Sequence, residues 1–300
     1  MTTRDLIVVG GGPAGVMTGL LFARAGCTVT VLEKHADFFR DFRGDTVHPS
    51  TMEILSQLGL LDDFLKRPHD KLDRAQIRIA GREWQIGDLS HLATPAPFIA
   101  MMPQWEFLDF LRDAAVRYPG FELAMEAPAT GFVEEGGRVV GVRLANDEER
   151  RARLVIAADG RSSMVRRLEM LPVEDLGAPI DVFWLRLPKS SAQGEALQGI
   201  IEAGSVLVLI DRNDYWQCAF VIPKGAADKI KADGLEALKA RLHKLAPELD
   251  LAGLTGLDDL HLLNVALDRL RTWHRPGLLA IGDAAHAMSP IGGVGINLAI

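Results

Sequence analysis

The sequence predicts an α/β protein in which a Rossmann-like domain carries an inserted, mostly antiparallel β-sheet. The first observation is an apolar run, Asp5 to Val9, that leads through a glycine-rich turn into the helix-like stretch Val16 to Ala25. The second is the recurrence of short apolar runs at Leu154 to Ala158 and Leu278 to Ile281. The third is a change of pattern over residues 177–268, where strand-like segments follow one another. Apolar runs separated by helices are typical of a parallel sheet, and successive strands of an antiparallel one.

The first glycine-rich turn predicts a dinucleotide site. Gly10 permits a tight turn, Gly12 lets the backbone approach a pyrophosphate, and Gly15 lets the helix pack on the strand. The helix N-terminus presents unpaired N–H groups and a positive dipole end to the phosphates. Glu33 follows the second predicted strand, Thr28 to Leu32, where a carboxylate can accept hydrogen bonds from an adenosine ribose and would repel a 2′-phosphate. A glycine-rich turn without a ligand is the alternative, which the full succession of strand, turn, helix, strand and acid disfavours.

Two later segments complete this motif. Ala158-Asp159-Gly160 and Gly282-Asp283 each follow a predicted buried strand. Ligands of open α/β sheets bind at the carboxyl ends of the strands, so these residues are candidate cofactor contacts. All three motifs in this order indicate one bound FAD. Two alternatives stay open, because Asp159 can be a simple turn former and Asp283 a helix N-cap.

A second glycine-rich loop, Ser289 to Asn297, opens a predicted helix. Its N–H groups would face the pyrimidine edge of the flavin, where a helix N-terminus stabilises the negative charge of the reduced ring. A plain flexible turn is the alternative. The candidate contacts are Pro290, Gly293, Val294, Gly295, Ile296 and Asn297. Because the chain ends inside the first turn of this helix, we expect a longer protein with a further C-terminal region.

Composition narrows the class of partner. The formal net charge is −7, which disfavours binding to nucleic acid or to an anionic membrane. Cys27 and Cys218 match no metal or redox spacing, and the histidines form no metal-binding motif, so no metal site is predicted. No apolar stretch reaches the length of a membrane span. These features favour a cytoplasmic protein.

Turn and capping signals divide the rest of the chain. Gln104 opens one amphipathic helix, and Ser50 with Glu53 forms a predicted capping box for another, with Gly59 at its C-terminal stop. The predicted helices are 50–58, 104–117 and, in the inserted sheet, a single helix over 235–245. The predicted hairpins are 74–88, turning at Ala80-Gly81, and 132–144, turning at Gly136-Gly137. The predicted strands of the inserted sheet are 182–187, 206–210, 215–222 and 262–267. The predicted domains are a discontinuous FAD-binding domain (1–70, 98–176 and 269–300) and a substrate domain (71–97 and 177–268).

On these motifs the chain resembles the FAD-dependent aromatic-ring monooxygenases, the para-hydroxybenzoate hydroxylase-like family of group A flavoprotein monooxygenases. The resemblance lies mainly in Gly10–Glu33, Arg43–Glu53, Ala158–Arg166 and Gly282–Asn297. It implies that residues 157–166 touch both FAD and NAD(P)H, and that Asp283 binds the ribityl chain. It further implies that Arg43 contacts FAD and that Gln104 contacts the ribityl chain, although a solvated surface position is the alternative for each. Pro13, Ala14 and Lys34 complete the predicted cofactor contacts.

The resemblance implies a hydroxylase that uses NAD(P)H and O2 to oxidise an aromatic or similarly electron-rich small molecule through a flavin C4a-hydroperoxide. In such a protein the inserted sheet supplies the substrate contacts. Arg212 and Tyr215 are the candidates, and Pro290 is a third residue placed at the catalytic site. The alternative for the first pair is a turn with Arg212 in solvent and Tyr215 packed. A homodimer is also expected.

Other functions stay open at this point. Flavin-dependent halogenases share the FAD fold but carry W-x-W-x-I-P, whereas Cys218 and Phe220 stand at the two tryptophan positions before Ile222-Pro223. This difference counts against halogenation. A flavin oxidase or reductase, or a non-enzymatic flavin-binding protein, remains an alternative. His48 is more readily interpreted as a packed loop residue than as a flavin contact.

Overall fold

The computed structural model describes residues 3–39, 46–189, 197–212 and 214–300. The helices are α1 (Pro13–Arg24), α2 (Pro49–Gln57), α3 (Leu61–Phe64), α4 (Gln104–Ala115), α5 (Met164–Arg167), α6 (Ala227–Asp233), α7 (Leu235–Leu245) and α8 (Gly295–Ala299). The strands are β1 (Arg4–Val9), β2 (Val29–Leu32), β3 (Thr46–Val47), β4 (Asp70–Leu72), β5 (Arg74–Ile79), β6 (Arg82–Asp88), β7 (Ile99–Met101), β8 (Phe121–Ala124), β9 (Ala129–Glu135), β10 (Arg138–Leu144), β11 (Glu149–Ala157), β12 (Val173–Asp175), β13 (Ile180–Pro188), β14 (Leu197–Glu202), β15 (Ser205–Asp211), β16 (Tyr215–Pro223), β17 (His261–Leu263), β18 (Asp268–Leu270), β19 (His274–Arg275), β20 (Leu278–Ala280) and β21 (His286–Ala287).

The chain divides into two compact units. The first unit comprises Met1–His69, Met101–Gly177 and Leu267–Ile300, and the second comprises Asp70–Ala100 and Ala178–Ala266. Each unit contains its own sheet and its own apolar core, so each is described separately below.

The sheet of the first unit is built on parallel strands in the order β20-β11-β1-β2-β8, with β19 antiparallel at one edge and the β9-β10 hairpin attached to β11. Both faces of its central strands are buried: Leu6 and Val8 belong to one apolar cluster, and Ile7 and Val9 to another. This two-sided burial explains the continuous apolar runs in the sequence. Val9 is level with both Leu32 and Ala157, so the carboxyl ends of these three strands meet at one edge.

The second unit contains a seven-stranded sheet in the order β17-β13-β16-β15-β14-β5-β6. All neighbours are antiparallel except β14 and β5, which are parallel. One face packs against α6 and α7 around Phe183, Trp216 and Leu242. The opposite face carries a smaller apolar cluster that includes Val182 and Ala219. Alternate residues of each strand therefore have different surroundings.

Much of the predicted element pattern is confirmed. The hairpins turn at Ala80-Gly81 and at Gly136-Gly137, and α7 has the predicted bounds. The predicted α/β fold class is also confirmed. Among the described helices, none is long and apolar enough to cross a bilayer.

Three predictions about elements are wrong. The capping box at Ser50 is not formed, because α2 begins at Pro49 with His48 as its N-cap, which places Ser50 inside the helix. Two helices, not one, pack on the inserted sheet. The short α6 is absent from the prediction because it buries only Ala227 and Ile230 and so gives little periodic signal. The predicted strand 262–267 ends at Leu263, because the chain then leaves this sheet and β18 pairs with β12 in the first unit. Strand β14 was not predicted.

Candidate functional site

The three predicted cofactor motifs meet at the carboxyl edge of the parallel sheet in the first unit. Gly10 follows β1, Ala158 follows β11 and Gly282 lies beyond β20. The Gly10 amide donates to the Leu32 carbonyl at 2.8 Å, and the Ile281 amide donates to the Ala157 carbonyl at 2.9 Å. Adjacent parallel strands thus bring together segments as far apart in the sequence as Gly10 and Gly282, at the edge where α/β proteins bind their ligands.

The glycines of the first turn have distinct structural roles. Gly10 has a φ of +109°, and a Cβ there would overlap the backbone of Ala158. A Cβ on Gly15 would overlap the carbonyl oxygen of Gly10, so this glycine allows α1 to pack closely on β1. A Cβ on Gly12 would meet no described atom within 4 Å. Open space beside backbone at a helix start is what a pyrophosphate group requires, so these residues fit the FAD phosphates.

The start of α1 keeps its N–H groups available. Gly12 is its N-cap and has no side chain that could cap the helix, and Pro13 and Ala14 are its first two residues. Proline is well suited to this position because its missing N–H would be unpaired there anyway. The helix start therefore matches the predicted anion-binding turn.

Glu33 braces the glycine turn. Its Oε2 atom accepts the Gly11 N–H at 2.9 Å, and its Oε1 atom accepts the His35 N–H at 3.0 Å. Each carboxylate oxygen accepts more than one hydrogen bond, so these contacts leave room for a ribose hydroxyl. Lys34, the next residue, is exposed. The ribose contact of Glu33 and the cofactor contact of Lys34 remain predictions.

Asp159 orders its own loop. Its Oδ2 atom accepts the Met164 N–H at 2.7 Å, and Gly160 follows with a φ of +80°. Its Oδ1 atom is buried and has no hydrogen-bond partner among the described residues. The turn-forming alternative is thus realised through the Oδ2 atom.

Two arginines join this loop to the Gly282-Asp283 turn. Arg161 Nε lies 3.3 Å from Asp283 Oδ2. Arg166 donates to the carbonyl oxygens of Asp283 and Ala284, each at 3.0 Å, and forms an ion pair with Asp268. The sequence marks Arg166 only as part of the 157–166 motif, and no local pattern indicates this bracing role.

The helix-capping alternative for Asp283 is not realised. The N-cap of its 3₁₀ turn, Gly282–Ala284, is Ile281, and the Asp283 carboxylate is about one-third exposed beside Arg161. A ribityl contact by Asp283 therefore remains a prediction that is compatible with its surroundings.

Asn297 fixes the second glycine-rich loop. Its Oδ1 atom accepts the His48 N–H at 2.7 Å and the Thr51 hydroxyl at 2.9 Å. Its Nδ2 atom donates to the Thr46 carbonyl at 3.0 Å and to the Gly293 carbonyl at 3.2 Å. These four hydrogen bonds use the amide fully, so a cofactor contact at Asn297 would have to come from its backbone. Thr46 and Thr51 carried no sequence signal for this role.

The same loop approaches the 46–48 segment closely. A Cβ on Gly293, whose φ is +63°, would overlap the Thr46 hydroxyl. Pro290 precedes the 3₁₀ turn Ile291–Gly293 as its N-cap, and α8 begins at Gly295 after Val294, with Ile296 buried. The loop is thus held to the 46–48 segment at Gly293 and Asn297, whereas Ile291 and Gly292 are exposed. Its predicted flavin contacts, from Pro290 to Asn297, remain predictions.

His48 lies at this junction. Burial lowers the pKa of its imidazole, and the nearby Gly292 carbonyl offsets that shift only in part. Its Nε2 atom is buried without a hydrogen-bond partner in the described part of the chain. His48 is therefore neutral at neutral pH. Gln104 opens α4 as predicted and is partly exposed, whereas Arg43 lies outside the described residues.

In the second unit the predicted substrate residues adjoin the turn before β16. The Arg212 amide donates to the Tyr215 carbonyl at 3.0 Å, and Arg212 Nε donates to Gln217 Oε1 at 3.1 Å. Arg212 is partly buried and its guanidinium is hydrogen-bonded to Gln217, so the alternative that placed this side chain in solvent is wrong. Burial also lowers the pKa of the guanidinium. Arg186 lies over the Tyr215 ring at 5.0 Å from its centroid. Their substrate contacts remain predictions.

The described residues contain no group of three or more His, Cys, Asp or Glu side chains that could hold a metal ion. Burial raises the pKa of the Cys218 thiol to about 12, which makes it unreactive near neutral pH. Cys218 and Phe220 both point to the face of the sheet that α6 and α7 cover.

Comparison with known proteins decides the family. Residues 3–300 match the family model described as "FAD binding domain". The chain belongs to this FAD-binding family. It is 34% identical to the 6-methylpretetramide 4-monooxygenase of Streptomyces rimosus, over 99% of the chain and 72% of that protein. It is 29% identical to the rifampicin monooxygenase of Streptomyces venezuelae, over 99% of the chain and 61% of that protein.

Solved structures show the same fold. A probable FAD-dependent monooxygenase from Pseudomonas aeruginosa aligns with a TM-score of 0.81 at 22% identity, over 99% of this chain and 83% of that one. A myxobacterial chondrochloren halogenase aligns with a TM-score of 0.84 at 22% identity, over all of this chain and 72% of that one. The predicted family and FAD cofactor are confirmed, and the named relatives place the chain among the FAD-dependent monooxygenases.

Proposed function

We propose that the protein uses NAD(P)H and O2 to hydroxylate an aromatic, electron-rich small molecule. The observation that carries the proposal is the 34% identity to a 6-methylpretetramide 4-monooxygenase over nearly the whole chain. A para-nitrophenol 4-monooxygenase from a Pseudomonas strain, 26% identical over 99% of the chain, supports the same substrate class. A cytoplasmic location and a homodimer stay predictions.

In this proposal the first unit holds FAD, which supplies the electron-transfer and oxygen-activating chemistry when bound. The start of α1 beside Gly12 would hold the pyrophosphate, Glu33 the adenosine ribose and Asp283 the ribityl chain. Asp159, through its unpartnered oxygen, would help to order the cofactor side of its loop. The Pro290–Asn297 loop, held to the 46–48 segment through Asn297, would keep its backbone in one place while substrate and product exchange.

The second unit would orient the substrate and exclude water. Without a correctly placed substrate, NAD(P)H is oxidised and O2 is reduced only to hydrogen peroxide. Arg212 and Tyr215 are the proposed substrate contacts. A guanidinium can pair with a carboxylate or phenolate oxygen, and a tyrosine hydroxyl can help to draw a proton from a phenol.

The test is a screen of NADH and NADPH oxidation by the FAD-loaded protein across phenols, aromatic acids and quinols, with hydroxylated product quantified by mass spectrometry. We expect one reductant and at least one aromatic class to give product in a ratio near one to NAD(P)H consumed. NAD(P)H consumption that yields only hydrogen peroxide with every compound would indicate an oxidase or reductase instead. An absence of flavin reduction by either reductant would favour a non-enzymatic flavin-binding protein.

Halogenation is the second candidate, because halogenases occur among the solved structures of this fold. The same screen with chloride and bromide present distinguishes it. We expect no halogenated product, since the residues at the two halogenase tryptophan positions, Cys218 and Phe220, lie in the apolar core under α6 and α7.

A further inference from the structure

We propose that Gln217 recognises the substrate, with its carboxamide N–H group donating to an acceptor oxygen conjugated to the aromatic ring, such as an aryl ketone oxygen. This inference rests on the proposed hydroxylase function and names a feature of its substrate. It also adds a residue to the site that sequence reasoning did not select.

The register of the sheet places Gln217 on the face of the second sheet that lies opposite α6 and α7. In β16 its neighbours Trp216 and Cys218 both belong to the core under α6 and α7. Side chains alternate along a strand, so Gln217 points to the other face. Its directly paired residues across the two neighbouring strands are Arg186 and Ile210. On that face, the adjacent pair of Ala219 and Trp184 belongs to the smaller apolar cluster.

Gln217 is deeply buried for a polar side chain. It is 4% exposed, and its Oε1 atom accepts a hydrogen bond from Arg212 Nε at 3.1 Å. Its Nε2 atom has no hydrogen-bond partner among the residues that the structure describes. A buried donor without an acceptor is unfavourable, and native proteins rarely retain one without a functional reason.

The orientation of the amide follows from its partner. Oxygen and nitrogen of a glutamine amide are normally assigned from the surrounding hydrogen bonds. Arginine has donors only, so the oxygen of Gln217 must face Arg212 and the NH2 group must point away from it. The unsatisfied group is therefore a donor, and a ligand that satisfies it must bring an acceptor.

An oxygen conjugated to the ring is the acceptor that fits this donor. The surroundings are otherwise apolar or cationic, with Val208 and Trp184 nearby on the same face and two guanidinium groups, Arg186 and Arg212, beside Gln217. Such a site disfavours an ammonium group and favours an oxygen with partial negative charge. Sites built to hydrogen-bond a substrate group discriminate strongly against analogues that lack it.

The experiment compares two probes of nearly equal shape, 2-acetyl-1-naphthol and 2-ethyl-1-naphthol, of which only the first carries a ketone oxygen. Their dissociation constants are measured from the flavin absorbance of the FAD-loaded protein, without NAD(P)H. Parent, Gln217→Leu, Gln217→Glu and the control Gln85→Leu are compared. Gln85 is an exposed glutamine on β6 of the same sheet, so its change tests the effect of the substitution type alone.

We expect the parent and the control to bind the acetyl probe about tenfold more tightly than the ethyl probe, as for one hydrogen bond to a buried donor. In both Gln217 variants that preference should fall to about one, with FAD content unchanged. A merely structural role would weaken both probes equally and leave the ratio as in the parent, which would overturn the inference. A parent that prefers neither probe, or binds neither, would overturn it as well.

The proposed function is tested separately in the same samples by adding NAD(P)H and O2. A parent that binds the acetyl probe selectively but hydroxylates no compound in the screen would contradict the hydroxylase function while supporting the role of Gln217. A parent that hydroxylates both probes, with an unchanged binding ratio in the two Gln217 variants, would retain the function and refute the role of Gln217.

Discussion

The two units use their polar side chains in different ways. In the FAD-binding unit, Glu33, Asp159 and Asn297 direct most of their hydrogen bonds to backbone groups of the loops around the site. In the second unit, Gln217 is buried on the sheet face opposite α6 and α7, and its NH2 group has no acceptor among the described residues. In the proposed function, the cofactor contacts are therefore pre-ordered backbone groups, whereas the substrate contacts are individual side chains.

This difference matches the chemistry that each unit would recognise in the proposed function. A pyrophosphate needs closely approaching N–H groups, which glycines and a helix start provide in any member of a family. A particular aromatic compound needs a particular arrangement of donors, acceptors and apolar surface. We therefore expect substitutions in the first unit to affect folding or FAD binding. Substitutions on the face of the second sheet opposite α6 and α7 should affect which ligand binds.

The largest effect is expected from Gly15→Ala. The added methyl group would overlap the Gly10 carbonyl oxygen, so α1 must move away from β1 at a cost of about 3 kcal/mol or more. Chemical denaturation should show the loss of stability, and the purified variant should lack FAD.

Gly12→Ala is the matched control for this change. Gly12 has a φ of −75° and open space around its Cβ position, so alanine should leave the apoprotein as stable as the parent. The methyl group should nevertheless weaken FAD binding at least about tenfold, because backbone and phosphate can no longer approach closely. Equal FAD affinity in Gly12→Ala and the parent would show that the pyrophosphate lies elsewhere.

Asn297→Ala should have the next largest effect. It removes four hydrogen bonds, three to the 46–51 segment and one to the Gly293 carbonyl, at a total of about 2–4 kcal/mol. We expect lower thermal stability together with weaker FAD binding. Thr51→Val removes only one of these bonds and should retain most of both properties. If Asn297→Ala loses FAD while its apoprotein keeps full stability, the side chain contacts the cofactor directly, contrary to its observed contacts.

Asp181→Asn tests whether the second unit is also held by a buried polar centre. Burial alone would raise the pKa of Asp181, but hydrogen bonds from Gly225, Lys224 and Val265 outweigh it and lower the pKa. Because the folded-state pKa lies below the unfolded value, the carboxylate stabilises the fold above that unfolded value and loses this contribution as the pH falls through the folded pKa.

The expected cost of Asp181→Asn at pH 7 is therefore about 1–3 kcal/mol, decreasing toward acidic pH. Urea denaturation of parent and variant between pH 7 and pH 3 measures it. A difference that stays constant over this range would mean that packing, not charge, gives Asp181 its role.

The smallest effect is expected from labelling Cys218, whose reactivity tests which face of the second sheet it lies on. Its thiol lies under α6 and α7 with a pKa of about 12, whereas Cys27 is partly exposed. We expect a thiol reagent to label Cys27 in the native protein and Cys218 at least about a hundredfold more slowly, until denaturant is added. Rapid labelling of Cys218 in the native protein would contradict the assignment of Cys218 to the face under α6 and α7, and with it the assignment of Gln217 to the opposite face.

Part of the site could be predicted because its residues are bound to local backbone conformation. Gly10, Gly12 and Gly15 serve a strand-turn-helix unit that lies within a few residues, and the structure gives each the expected surroundings. Asp159 and Asp283 directly follow strand signals. In contrast, Thr46, Thr51 and Arg166 act through residues roughly 100 to 250 positions away, so no local pattern marks them.

By itself, the sequence determined the α/β class, the glycine-rich cofactor turn, both hairpins and helix α7, because each depends on contacts between near neighbours in the chain. Only the tertiary structure decided that the Asn297 side-chain amide makes all its hydrogen bonds within the protein, that Ser50 lies inside α2, and that Gln217 is a buried donor beside Arg212. The physical reason is that strand register and burial arise from pairings between distant segments. A one-residue shift in register would have turned Gln217 toward α6 and α7 and Cys218 toward the opposite face.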